Sequence, residues 1–128
     1  MSELSNKVAW DSYEFYTQQL FDLEEDHLIN MDKVTNLVQG GSYCSKQDHL
    51  KIFKKSLDTT SQLIVLYNKQ LSSIDDMIVS LSEEEDDVLK NSTFNSLTTL
   101  VDFTSELLED TNKYRKDLSE LIKQYEER

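Results

Sequence analysis

Two histidines carry the most versatile side chains in this sequence, and their neighbours limit what they can do. A histidine on an exposed helix face can take a phosphoryl group on a ring nitrogen, provided that an incoming active site has room beside it. In helical phosphotransfer domains a Lys-Gly pair closely follows the histidine, and the glycine admits the partner's active site. Here Leu28-Ile29-Asn30 follow His27, and Leu50-Lys51-Ile52 follow His49, with no glycine at either place. A capped or partly buried imidazole is the expectation for both, and histidine phosphotransfer stands as the enzyme-class alternative. Glu24-Glu25-Asp26-His27 contains one Glu-x-x-His, half of the motif with which helical bundles hold a metal pair. No second copy exists, and the single cysteine, Cys44, cannot build a zinc site with two scattered histidines. Neither metal nor other cofactor is expected.

The remaining polar chemistry is sparse. A nucleophile elbow or a phosphate-cradling loop needs glycines at set places, and the two glycines present are adjacent, Gly40 and Gly41. The 25 aspartates and glutamates read as solvated helix faces. Ser82, followed by three glutamates, suits an acidophilic kinase at what reads as a helix N-terminus, where phosphate is favoured. Asn91-Ser92-Thr93 is formally a glycosylation sequon, but the N-terminus lacks a basic segment followed by an apolar run. Catalysis on a small-molecule substrate is not expected.

The elements that must position these residues follow from spacing. Without proline, and with one glycine pair, the 128-residue chain favours long helices. Helix one is expected over about 4–39, on a stripe of Tyr13, Tyr16, Leu20, Leu23, His27, Met31, Val34 and Val38. It stops at Gly40-Gly41-Ser42. Helix two is expected over about 45–81, opened by the capping box Ser45-Lys46-Gln47-Asp48. Its stripe runs Leu50, Phe53, Leu57, Thr60, Ile64, Tyr67, Leu71, Ile74, Ile78 and Leu81. Helix three is expected over about 88–127, with Leu97, Leu100, Thr104, Leu107, Thr111, Tyr114, Leu118, Leu121 and Tyr125 in line. Phe94, Val101, Leu108 and Ile122 widen that line. Start signals at Ser82 and at Asn91 or Ser92 put a loop between 82 and 92. Alternating steps of three and four specify a coiled-coil-like seam. Short connections make neighbours antiparallel. The expectation is one all-α domain over 1–128, an elongated up-down-up three-helix bundle.

Composition narrows the partners. At 38% hydrophobic and 30% charged residues, the periodic chain can bury a core, unlike a disordered one. A net charge of -12 repels nucleic-acid phosphates and anionic membrane surfaces. The longest apolar run, Leu63-Ile64-Val65-Leu66-Tyr67, is far too short to span a bilayer. A lone cysteine suits a reducing compartment, cytoplasm or nucleus. The one basic cluster, Lys46, Lys51, Lys54 and Lys55, reads as local charge balance.

Some apolar residues miss the seams. Trp10, Phe15, Phe21, Leu28 and Ile29 leave the stripe of helix one. In helix two, Val65 and Leu66 lie off the seam, Ile52 shares a face with Leu66, and Val79 shares one with Val65. Spare apolar surface on a helical domain points to protein partners. The expected surface is therefore Trp10, Phe15, Phe21, Ile52, Val65, Leu66 and Val79, offered to helical segments of other proteins. In its proline-free, heptad-rich, acidic make-up the whole chain is similar to small helical subunits of eukaryotic assemblies of the kinetochore, vesicle-tethering and cytoskeletal kinds. That resemblance implies a non-enzymatic scaffold or adaptor. The length and acidity also resemble the regulatory three-helix domain of syntaxin-type membrane-fusion proteins, the second reading.

Overall fold

The computed structural model describes the backbone of residues 2–40 and 45–127, with side chains from residue 7 onward. Helix α1 spans Ser2–Val38, α2 spans Lys46–Ser80 and α3 spans Asp87–Glu126, with a 3₁₀ turn at Leu81–Glu83. The described residues contain no strand, and the fold is an all-α three-helix bundle. Gly41, Ser42 and Cys44 lie outside the described residues. Gly40 has φ +78°, the left-handed conformation in which glycine ends helices at least cost.

Caps explain where the helices begin. Ser45 Oγ accepts from the Asp48 N–H at 3.2 Å, opening α2. At α3 the structure departs from expectation. The N-cap is Asp86, whose Oδ1 accepts from the N–H groups of Val88 (3.0 Å) and Leu89 (3.1 Å). Ser82 caps nothing: its hydroxyl donates to the Val79 carbonyl at 3.0 Å, which ties it to the end of α2. A phosphate on Ser82 would thus meet the carbonyl end of a helix, the opposite of the favourable setting read from the sequence.

Three apolar clusters run along the bundle, each drawing on all three helices. At one end lie Val34, Leu37, Phe53, Leu118 and Ile122. In the middle, Leu20, Leu63, Leu66 and Tyr67 gather Leu107 and Leu108. At the other end are Ala9, Ile74, Met77 and Leu97. The start of α1 thus meets the end of α2 and the start of α3, which is the antiparallel up-down-up order.

Helix α2 is the central element because it is buried along two seams. Towards α3 it presents the expected line through Phe53, Thr60, Tyr67 and Ile74. Towards α1 it presents a second line, Ser56, Thr59, Leu63, Leu66, Gln70, Ser73 and Met77, all buried. That line also alternates steps of three and four. More than half of it is polar, so on sequence it looks like a solvent face. Two of its hydroxyls are absorbed locally: Thr59 Oγ1 donates to the Lys55 carbonyl and Ser73 Oγ to that of Lys69, both at 3.2 Å, whereas Ser56 Oγ is buried without a hydrogen bond. Gln70 Nε2 reaches across to Thr17 Oγ1 at 2.8 Å.

The matching line on α1 also corrects the expected stripe. Beyond His27 the buried positions are Asn30, Val34 and Leu37, while Met31 is half-buried and Val38 exposed. A strict alternation from Tyr13 demands residue 30 after 27, and polarity hid it. Asn30 Nδ2 donates to Thr59 Oγ1 at 3.2 Å, so the buried amide is paired across the seam.

Candidate interaction surface

Close backbone approach among the described elements runs between α1 and α2 and between α2 and α3. The third side, between α1 and α3, is wider, with side chains such as His27 and Tyr114 meeting across it. Two adjoining hollows of about 240 and 290 Å³ line it. Phe21, Leu28 and Met31 of α1 face Phe103 and Leu107 of α3, and Tyr67 of α2 forms the floor. Three large side chains along this groove stay mostly in solvent: Phe21 at 71%, Leu28 at 63% and Phe103 at 61% exposure. Glu14, Phe21 and Leu28 stand seven residues apart on α1, as do Phe103, Asp110 and Asp117 on α3. Two edges of one groove therefore carry both apolar and acidic residues.

The groove's polar groups have distinct settings. Tyr67 donates its hydroxyl to Glu24 Oε1 at 3.0 Å. Burial pushes the Tyr67 phenol well above its ordinary range, and the Glu24 charge pushes it further. Burial likewise raises Tyr114, partly offset by the Ser56 hydroxyl beside it. The two oxygens do not meet hydrogen-bond geometry, so the offset is a weak polar contact. His27 stands edge-on to Tyr114, ring centroids 5.3 Å apart, and burial lowers its pKa. Its Nδ1 is buried, so that nitrogen is closed to a phosphoryl donor. His49 packs on Phe53 and Tyr125 with Nε2 buried. Among the described residues no group of three or more His, Cys, Asp or Glu side chains is arranged to hold a metal ion. Glu24 of the Glu-x-x-His accepts the Tyr67 hydroxyl on one of its two oxygens.

The residues expected to meet a partner are scattered. Phe21 lies in the α1–α3 groove. Val65, 51% exposed, lines a separate hollow of about 580 Å³ between α1 and α2, with Gln19, Asp22, Leu23, Ser61 and Gln62. Leu66 was expected on the free face and is instead buried at 8% exposure, in the central cluster with Leu20 and Leu63. The polar seam towards α1 gives it an inside home. Ile52, on the same face, is half-buried against the cluster around Phe53. Trp10 and Phe15 are exposed and lie edge-on to Tyr13 and Tyr16 respectively. Val79 is exposed about 21 Å from Val65, at about 1.5 Å per residue. No single patch unites the seven. Sequence reasoning missed Phe103, a large aromatic one step off the α3 seam. Its apolar side chain, out of line with the α3 seam, is the signal the sequence carries.

Of the basic cluster, Lys54 pairs with Glu126 at 3.0 Å, an exposed contact worth about 0.2–1 kcal/mol. No helix among the described residues is long and apolar enough to cross a membrane. Comparison of the chain with protein-family models, with curated proteins and with solved structures finds no match in any of the three.

Proposed function

We propose that this chain is a non-enzymatic interaction module, a helical scaffold or adaptor subunit that accepts one helix of a partner protein along the wider α1–α3 side. The observation that carries the reading is the groove itself. Its two flanking helices pack on α2 rather than along each other, and Phe21, Leu28 and Phe103 stand exposed on its rims. A fourth helix laid there covers those side chains and turns three helices into four, a common closed arrangement. Isolated exposed apolar residues are ordinary, whereas several along one groove are what partner surfaces look like. The α1–α2 hollow suits this role less well. Its apolar part is Leu23, Val65 and Leu66, of which Leu66 is core. The same reading places the chain inside the cell, in cytoplasm or nucleus, where a lone thiol stays reduced.

The test compares proteins retained by the wild-type chain with those retained by Phe21→Asp, Leu28→Asp. Both positions are exposed, so the variant should keep its helicity by circular dichroism. Proteins held by the wild type and lost from the folded variant support the reading. An unchanged retained set overturns it.

A further inference from the structure

Resting on that reading, the geometry points to the kind of helix that fits: we propose that the groove takes a basic amphipathic helix of about 18 residues. Length comes first. The groove extends along α1 from Tyr13 to Met31, which at about 1.5 Å per residue is about 27 Å. Charge decides the rest. The charged residues lining the two hollows are Glu24 and Asp110, and no lysine or arginine lines either one. Lys113, one turn on from Asp110, does not line them. Beyond the lining, exposed Glu14 continues the α1 rim, while on the α3 side exposed Lys113 stands between Asp110 and Asp117 and offsets part of their charge. Glu24 gives one oxygen to Tyr67 and has its other oxygen to offer. A largely apolar groove with one carboxylate on each side, Glu24 and Asp110, and no cation in its lining matches a helix with an apolar stripe and cations on both flanks.

A second copy of this chain is the poorer occupant. Each copy carries a net charge of -12, and self-docking would set the groove's carboxylates against acidic helices within a Debye length, about 8 Å at physiological salt.

The experiment uses three 18-residue peptides sharing one leucine stripe, with lysine, glutamine or glutamate at every other position. Binding to the full chain is read by fluorescence anisotropy at low and high salt, alongside sedimentation equilibrium of the chain alone. The lysine peptide should bind more tightly than the glutamine one, and the glutamate one least. Added salt should shrink that order, and Phe21→Asp, Phe103→Asp should abolish binding. Asp110→Asn and Asp117→Asn should each weaken the lysine peptide about twofold to fivefold. Equal groove-dependent binding of all three peptides overturns the charge proposal and leaves helix docking standing. No groove-dependent binding of any peptide overturns both. A chain that dimerises, and becomes monomeric in the Phe21→Asp, Phe103→Asp variant, names a second copy as occupant and also overturns the proposal.

Discussion

Asn30 shows at the scale of one residue why the core is only partly visible in the sequence. Its position in the seam follows from spacing alone, yet its amide reads as surface until Thr59 appears opposite it. A buried amide with a partner across the seam penalises neighbouring registers, the role such residues play in coiled coils. His27 was readable as a histidine on an apolar stripe, but its edge-on contact with Tyr114 was not, because that contact belongs to α3. Its protonation has a measurable consequence. Burial holds the folded-state pKa below the ordinary 6.5. As pH falls through 6.5, the unfolded chain therefore takes up a proton that the folded chain refuses. Stability drops across the window between 6.5 and the lowered folded value, and is flat with respect to this group below it. Urea denaturation of wild type and His27→Gln between pH 7.5 and 5 should show a steeper loss in the wild type. Parallel curves would mean that His27 is solvated in the folded chain.

At the scale of an element, the stripe of α3, one line of α2 and the stripe of α1 as far as His27 were legible because a dominant apolar line cannot be hidden. Helix α2 was half legible: the line towards α3 is aliphatic and aromatic, whereas the line towards α1 is built from Ser56, Thr59, Gln70 and Ser73 among its leucines and a methionine. Small hydroxylated residues bonded to their own backbone let two helices approach and need little water. Polarity therefore concealed burial. The break between the 3₁₀ turn and α3 lies inside the expected 82–92 span, but its capping residue was not legible, since Ser82, Asp86 and Asn91 all have the chemistry of a cap. Only geometry selects Asp86, whose carboxylate takes two N–H groups. Asp86→Ala should lower stability by about 1 kcal/mol, while Ser82→Ala, on an exposed hydroxyl, should change it by less than about 0.5 kcal/mol. Thermal unfolding of the two variants decides this. Equal losses would move the start of α3 upstream.

For the whole molecule, class and order of helices followed from helix periodicity, the lack of proline and one glycine pair. The wider side did not, because spacing tells which residues face a neighbour and not how far apart two neighbours of α2 stand. The same gap put Val65 and Leu66 together as spare residues when they are one helical step, about 100°, apart. That step separates solvent from core. Leu66→Asp places a carboxylate among Leu20, Leu63 and Tyr67, where it loses the leucine's packing and is largely desolvated. The cost should be about 3 kcal/mol or more, a large share of the 5–15 kcal/mol that holds a typical domain together. Val65→Asp, half in solvent, should stay within about 0.5 kcal/mol of wild type. The urea midpoint read by circular dichroism separates the two. If both variants unfold early, the α1–α2 side is closed in solution and Val65 belongs to the core. If neither does, Leu66 is not held by α1, and the polar seam that makes α2 the central helix does not form.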